Sequence, residues 1–327
     1  MKNILSKSLI VVFSLLIIDP TISLVQAREL SARAKAEDDN GDGVLQRNEI
    51  KSQRVKDLFD DIDCDKSDTL DGEEIYNHFR GSGVCPNQGS VAGANIPHRK
   101  KYPTGSGPFP GIIALHSSGG FSGSNMLIEN FKSETWVKAG YAWYAPNFFV
   151  KHGITNDTRM DTFDKYREDI EKELAAIITL MKADPKVDSK NIFAIGFSNG
   201  GFWTSYLAGK GIVTAASSHY GVWKANFGRD WTNPYPMEYF SSKSSPLLAL
   251  HGEDDSTQKI TFFNEAWSQI EETPKIEKHI YDNAGHVWDC FPPSRLERIC
   301  NKFDDRNREV TNDALKRTLA FFKKHSK

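Results

Sequence analysis

The sequence predicts an α/β protein, in which a mostly parallel sheet with helices on both faces follows a small helical module. Beyond residue 107, apolar runs bounded by Gly or Pro alternate with segments of helical periodicity. Before residue 81, an acidic segment has the regular spacing of ion-binding loops. The 327 residues carry a net charge of −2 and are 39% hydrophobic. This balance excludes a disordered chain and argues against a basic nucleic-acid-binding protein.

Residues 1–27 have the pattern of a secretory signal peptide. Lys2 and Lys7 accompany an apolar run over residues 9–18, and Val25-Gln26-Ala27 forms a small-residue cleavage site. The run is shorter than the ~20 apolar residues that a membrane-spanning helix needs. We therefore expect a secreted or periplasmic protein without a membrane span in the mature chain. An uncleaved membrane anchor is the alternative.

Export would permit disulfide bonds, and the chain has four cysteines. Cys64 and Cys85 form one sequence-local pair, and Cys290 and Cys300 form another. Proximity favours the bonds Cys64–Cys85 and Cys290–Cys300, although four cysteines allow three connectivities. Their spacings match no common zinc pattern.

Residues 37–74 contain 14 acidic and 5 basic residues, and the acidic positions match two 12-residue calcium loops. Such loops wrap hard oxygen ligands around a single ion. The candidate ligands are Asp38, Asn40, Asp42, Val44 and Glu49 in the first loop and Asp63, Asp65, Ser67, Thr69 and Glu74 in the second. Val44 and Thr69 would act through their backbone carbonyls. Residues 28–80 therefore resemble an EF-hand pair, which implies Ca²⁺ in a structural role.

Three further features bear on this module. Leu45 and Leu70 occupy the same apolar position in the two loops, which predicts a short β contact between them. Asp68 stands where Gly is usual, at a position that needs a positive φ. A helix over residues 50–62 fits between the loops, with Leu58 and Phe59 on its apolar side. Degenerate loops that no longer bind an ion are the alternative, and whether calcium regulates activity stays open.

Residues 81–107 are rich in Gly and Pro and are predicted to be a linker to a large domain over residues 108–327. Continuous apolar runs predict buried parallel strands, and no antiparallel strand is visible in the linker. The predicted strands are 111–115, 141–145, 192–197, 213–217, 247–250 and 276–281, and the predicted helices are 166–181, 260–270 and 314–324.

The run Gly196-Phe197-Ser198-Asn199-Gly200 follows a predicted strand and precedes a helical stretch. Gly-x-Ser-x-Gly in this context predicts a strained turn that presents the Ser hydroxyl at the sheet edge. The backbone N–H of Asn199 would face a developing oxyanion. A second donor is expected from the loop after the first strand of the domain, at the N–H of Ser117 or Ser118.

A serine nucleophile needs a base, and that base needs an orienting acid. His286 lies on the loop after the last predicted strand, and Asp255 follows the strand before it, with Asp254 as the neighbouring alternative. The chain order Ser198, Asp255, His286 is that of α/β-hydrolases. His116 and His251 flank strands, and we expect them to be buried structural residues.

Residues 108–322 resemble the dienelactone hydrolase-like branch of the α/β-hydrolases. The resemblance is carried by Gly140-Tyr141-Ala142, Gly196–Gly201, Tyr220-Gly221 and Leu250–Asp255. It implies the α/β-hydrolase fold and assigns the acid to Asp255. The founding enzymes use a Cys nucleophile and carry a Glu in the oxyanion loop. Here Ser198 and the pair Ser117-Ser118 stand instead, which favours a general esterase.

The sequence thus predicts an exported serine hydrolase that cleaves small-molecule or polymeric carboxylic esters through an acyl-enzyme. No cofactor is expected for catalysis. A peptidase or acyltransferase on the same fold, and a non-catalytic calcium-dependent binding protein, are the alternatives. The aromatic residues considered for an acyl pocket are Phe121, Phe148, Phe149, Trp203, Trp223, Trp231 and Trp288, although each is more typical of the core.

Overall fold

The computed structural model describes residues 28–63, 67–79, 96–121, 132–224, 237, 240–269, 275–289 and 305–327. The predicted signal peptide, all four cysteines, Asp65 and Trp231 lie outside these ranges. The described chain forms a small N-terminal module and a larger domain built on a seven-stranded sheet. None of the helices in these ranges combines the length and apolar character that crossing a bilayer requires.

The N-terminal module is organised around two short paired strands. Its elements are α1 (Ala32–Lys35), β1 (Leu45–Gln46), α2 (Gln53–Asp57), α3 (Phe59–Ile62), β2 (Thr69–Leu70) and α4 (Gly72–Phe79). β1 and β2 pair antiparallel with Leu45 opposite Leu70, as the sequence predicted. Leu45, Ile50, Phe59 and Leu70 form the buried core of the module. Asp68 has the expected positive φ, at 63°.

The single helix predicted over residues 50–62 is wrong. The chain forms two short helices that are separated at Leu58, whose φ and ψ are −109° and 5°. The N–H of Leu58 bonds to the carbonyl of Val55, three residues back, instead of four. This tighter turn ends the first helix and lets Phe59 enter the core of the module.

The large sheet consists of β3 (His98–Lys101), β4 (Phe109–Leu115), β5 (Ala142–Pro146), β6 (Val187–Phe197), β7 (Ala216–His219), β8 (Leu247–Gly252) and β9 (Ile276–Tyr281). Its strand order is β3-β5-β4-β6-β7-β8-β9. β3 is antiparallel to β5, and the other neighbours are parallel. The longest strand, β6, therefore lies in the middle of the sheet.

Both faces of the sheet are covered. The helices are α5 (Arg167–Ala183), α6 (Asn199–Gly209), α7 (Ile260–Trp267) and α8 (Asp305–His325), and residues 132–138 are also helical. Neighbouring residues of one strand face opposite layers, since Ile113 packs with α5 and α6 whereas Ile112 packs with α8. This explains why the strands read as continuous apolar runs.

Three strands differ clearly from the sequence-based prediction, and one of them, β6, begins at Val187 instead of residue 192. β3 lies inside the predicted linker, and its four polar or basic residues gave no strand signal. As an edge strand with one neighbour, it tolerates charges that a central strand would not. β7 begins at Ala216 instead of residue 213. At Thr214 the side-chain oxygen accepts the Ile192 N–H at 3.0 Å, so the regular backbone ladder starts only beyond it.

The N-terminal module contacts the edge of the sheet. A guanidinium N–H of Arg99, on β3, donates to Nδ1 of His78, on α4, over 2.9 Å. Burial, with the nearby charges of Arg99, Arg54 and Lys101, lowers the pKa of His78 to about 3. His78 therefore stays neutral at physiological pH and keeps its capacity to accept this bond.

The packing of α8 predicts a large stability effect at Phe322. This side chain is fully buried and stacks on Phe193 of β6 at 4.6 Å between ring centroids. Phe322→Ala should lower the free energy of unfolding by about 3–5 kcal/mol because it leaves a cavity. Val150→Ala, at an exposed apolar residue, is the control and should change it by less than about 1 kcal/mol. Urea denaturation measures both, and equal effects would contradict the described packing.

Candidate active site

Ser198 lies at a sharp turn between the central strand β6 and helix α6. Its φ of 53° and ψ of −111° are strained for a residue with a side chain. Two glycines make the turn possible, since a Cβ on Gly196 would lie 2.1 Å from the carbonyl oxygen of Gly200. A Cβ on Gly200 would lie 2.1 Å from the carbonyl oxygen of Leu115. The local sequence therefore fixes where the Ser198 hydroxyl points.

Three side chains from separate strand ends form one hydrogen-bonded line. The hydroxyl of Ser198 lies 2.9 Å from Nε2 of His286. Nδ1 of His286 lies 2.7 Å from Oδ2 of Asp255. With Nδ1–H donating to the carboxylate, Nε2 is free to accept the Ser198 proton. This arrangement activates a serine for nucleophilic attack.

Asp255 is held in a fixed position next to His286. It is buried, and its second oxygen accepts the N–H groups of Thr257 at 2.8 Å and Gln258 at 2.7 Å. Asp254, the alternative acid, is exposed, and the carboxylate that bonds to His286 is that of Asp255. The structure therefore brings Asp255, and not Asp254, to the imidazole.

His116 and His251, which flank strands, are buried, as expected. His251 donates through Nε2 to the carbonyl of Gln258 at 2.7 Å and stacks on Phe263. Burial lowers its pKa to about 4, so it stays neutral although it lies 3.8 Å from Asp255. His116 stacks on Phe148 at 4.0 Å and donates to the carbonyl of Ser117 at 2.8 Å. It thereby fixes the loop that follows β4.

A cleft opens beside Ser198 and His286. Its lining combines loops from several strand ends and includes Ser117, Ser118, Gly119, Asn156, Arg159, Met160, Phe163, Val222, Thr257 and Val287. Ser117 and Ser118, predicted as backbone donors, thus lie at the same cleft as Ser198. Asn199 is the first residue of α6, where backbone N–H groups have no intrahelical acceptor. Both predicted donor segments therefore meet at this site.

The side chain of Asn199 has a separate role. Its amide donates to the hydroxyl of Thr162 at 3.1 Å and to the carbonyl of Arg159 at 3.3 Å. Asn199 therefore ties the short helical turn of residues 159–162 to the start of α6. That turn carries Arg159 and Met160 into the cleft.

Six of the seven aromatic residues considered for an acyl pocket lie in the core instead, and the seventh, Trp231, is outside the described residues. Phe121, Phe148, Phe149, Trp203, Trp223 and Trp288 are buried and do not line the cleft described here. Its apolar walls come from Met160, Phe163, Val222 and Val287. Sequence reasoning missed these residues because they lie in irregular segments, where no periodicity marks which side chain faces the cleft.

The acidic loops have part of the geometry that an ion would need. Gly43 and Asp68, at equivalent positions, have positive φ values of 86° and 63°. The carboxylate of Asp38 accepts the N–H groups of Gly41 at 2.8 Å and Gly43 at 3.0 Å, which folds the loop around it. Within the described ranges, however, no three His, Cys, Asp or Glu side chains gather into a metal-binding cluster. Glu49 instead accepts backbone N–H groups of its own loop.

One curated relative matches part of the chain. Over 226 residues, 60% of the chain, the sequence is 26% identical to the uncharacterized peptidase YuxL of Bacillus subtilis. That match spans only 34% of the relative's length.

Several solved structures share the fold. The dienelactone hydrolase-like promiscuous phosphotriesterase P91, from metagenomic libraries, superposes with a TM-score of 0.56 at 16% identity, over 71% of this chain and 93% of its own. MGS-M1, an α/β-hydrolase from a deep-sea metagenome of the Medee basin, gives 0.53 at 18% identity, over 73% and 96%. An esterase of Thermogutta terrifontis gives 0.50 at 14% identity, over 70% and 90%.

The family model of the dienelactone hydrolases matches residues 98–326, more than half of the chain. The match begins at β3 and includes every strand of the seven-stranded sheet. The chain therefore belongs to the dienelactone hydrolase family of α/β-hydrolases.

Proposed function

We propose that the protein is a serine esterase that cleaves carboxylic esters through an acyl-enzyme. The observation that carries this proposal is the hydrogen-bonded line from Ser198 through His286 to Asp255, with distances of 2.9 and 2.7 Å. Family membership supports hydrolysis in general. A serine with an imidazole base and an orienting carboxylate suits acyl transfer, the class of reaction to which ester cleavage belongs.

The reaction follows from these contacts. Nε2 of His286 takes the hydroxyl proton as Ser198 Oγ attacks the ester carbonyl. The buried Asp255 carboxylate stabilises the imidazolium that forms and holds the ring in the required tautomer. His286 then protonates the leaving alcohol as the C–O bond breaks. Water, deprotonated by His286, hydrolyses the acyl-enzyme and regenerates Ser198.

The oxyanion is assigned to backbone donors at the same edge of the sheet. Asn199 is the first residue of α6, so its N–H lies at the positive end of the helix dipole. The dipole strengthens the attraction of this N–H for an anion. The second donor is the N–H of Ser117 or Ser118, on a loop that His116 holds in place. Fixed donors of this kind stabilise charge without reorganising during the reaction.

A short acyl or alcohol group fits the cleft best. The cleft has a volume of about 220 Å³, which is smaller than the roughly 300–1,000 Å³ of pockets that bind drug-sized ligands. Because one relative is named a peptidase, amide cleavage is the second candidate. A panel of short esters, matched amides and acyl acceptors separates esterase, peptidase and acyltransferase activity.

The role of Ser198 is tested by removing its hydroxyl. Ser198→Ala should lower kcat by up to about 10⁶ and abolish labelling by a fluorophosphonate probe. Ser205→Ala, which removes a hydroxyl from the same helix, is the matched control and should retain activity and labelling. Substantial ester hydrolysis by Ser198→Ala would overturn the assignment of the nucleophile. Failure of the probe to label the wild type would instead favour a non-catalytic binding protein.

The choice between two neighbouring acids gives a sharper test. Asp255→Asn should lower kcat by about 10³–10⁴ because the imidazole loses its orienting carboxylate. Asp254→Asn changes an exposed acid one residue away and should leave kcat within about twofold. Steady-state kinetics on a short nitrophenyl ester measure both variants. A larger loss in Asp254→Asn would mean that the assignment of the acid is wrong.

We further propose that residues 38–49 and 63–74 bind Ca²⁺ as an EF-hand pair in an exported protein. The antiparallel pairing of Leu45 with Leu70 and the positive φ values of Gly43 and Asp68 support this. The donor set consists of oxygens, which calcium prefers. Glu74 lies on α4, one turn before His78, which contacts Arg99 of the sheet. Calcium would therefore support the docking of the module and not the chemistry.

Calcium removal should accordingly affect stability more than activity. EDTA should lower the melting temperature by about 2–5 °C, because a ligand that binds only the folded state stabilises it. It should leave kcat at moderate temperature within about twofold. Glu49→Gln with Glu74→Gln should remove this response, whereas Glu29→Gln, at an exposed acid of the same module, should retain it. An EDTA-independent melting curve would count against calcium binding.

A further inference from the structure

We propose that Tyr220 is a positioning residue for His286, and that a buried ion pair between Lys132 and Asp289 holds Tyr220 in place. This inference rests on the proposed serine esterase activity. It adds a set of residues that hold the general base, His286, in its orientation. It concerns Tyr220, His286, Asp289 and Lys132, which belong to three separate segments of the chain.

Tyr220 contacts the imidazole directly. Its ring lies edge-to-face against the ring of His286, with centroids 5.0 Å apart and planes at 67°. On its other side it packs against Trp288, at 4.8 Å and 83°. The side chain is almost fully buried, so its ring has little room to move. The position of Tyr220 therefore limits the orientations that His286 can adopt.

Tyr220 is anchored at both ends. Its N–H donates to the carbonyl of Leu250, on β8, at 2.8 Å. Its hydroxyl donates to Oδ1 of Asp289, three residues beyond His286 on the same loop. The first bond ties Tyr220 to the strand that leads to Asp255, and the second ties it to the loop that carries the base. Tyr220 thus connects the strand that precedes Asp255 with the loop that carries His286.

Asp289 is in turn paired with Lys132. The ammonium nitrogen lies 2.7 Å from Oδ2, and each side chain is only 7% exposed. Lys132 also lies over the ring of Phe197, 3.4 Å from its centroid, next to Ser198. Burial opposes ionisation of Asp289, but Lys132 and the Tyr220 hydroxyl hold its pKa below the ordinary value. Buried ion pairs add little net stability, so geometric control is the better explanation for this one.

Backbone strain at the same place supports this interpretation. Tyr220 has a φ of 38°, and Val287, next to His286, has a φ of 61°. A positive φ is a genuine outlier for bulky or β-branched residues, and it persists only where surrounding contacts enforce it. Val287 lies between His286 and Trp288, the two residues whose rings pack against Tyr220. The strain therefore marks a loop geometry that the packing maintains around His286.

The charged and titratable groups around His286 define what a pH profile reports. Asp255 and the neutral His251 face it from the β8 side, and Tyr220 and Ser198 face it from the β7 and β6 sides. Arg159 lies across the cleft. Substituting Tyr220 leaves these groups in place, so a change in kcat or in the pH profile reports the position of the imidazole among them.

Two substitutions separate the hydroxyl from the ring. Tyr220→Phe keeps the ring and loses the anchor to Asp289, so kcat should fall about 5–30-fold while KM stays within twofold. Tyr220→Leu removes the ring as well, and kcat should fall about tenfold further. Tyr102→Phe, which removes a different Tyr–Asp hydrogen bond at the far edge of the sheet, is the matched control and should keep kcat.

The experiment measures pH profiles of short-ester hydrolysis on the full chain, with melting temperatures and fluorophosphonate titration to count folded active sites. A kcat loss per active site in Tyr220→Phe, absent in Tyr102→Phe, supports the inference. Unchanged kcat per active site and an unchanged pH profile in both Tyr220 variants overturn it. Ser198→Ala is assayed alongside. If that variant is inactive while Tyr220→Phe is normal, only the positioning role fails, whereas activity in Ser198→Ala overturns the proposed function as well.

Discussion

The turn at Ser198 is the constraint on which the rest of the site depends. A residue with a side chain is held at positive φ between the middle strand and α6, at a cost of about 1–3 kcal/mol. Burial offsets this cost, since every residue of α6 is buried and the helix lies within the core. The hydroxyl is thus placed by the fold itself. The loops after β4, β8 and β9 need only bring their groups to that fixed point.

The sequence predicted most of the strands and site residues that follow a local or repeating sequence pattern. β5 and β8 are buried along their whole length, and β4 and β6 are buried over most of theirs, so apolar runs located six of the seven strands. Ser198, Asp255 and His286 could be proposed because each follows a strand, and parallel strands present their ends at one edge. The loop pairing through Leu45 and Leu70 was likewise predictable from equivalent positions in two similar segments.

What could not be predicted depends on contacts between distant segments. β3 consists of His and basic residues, and only its place at the edge of the sheet explains it. The break at Leu58 reflects the need to bury Phe59, which no local pattern records. The cleft walls and the contact of Tyr220 with His286 arise from irregular loops, where side-chain direction follows from tertiary packing alone.

The position of α8 has a consequence for how the chain reaches its native state. Val310, Ala314 and Phe322 complete the apolar layer on one face of the sheet, and Lys327 bonds to Asn191 beside the central strand. α8 follows all seven strands of this sheet in the chain, so it closes a layer whose strands all precede it. Until α8 docks, that face of the sheet exposes apolar side chains, and a chain in which the docking is weakened should be prone to aggregation.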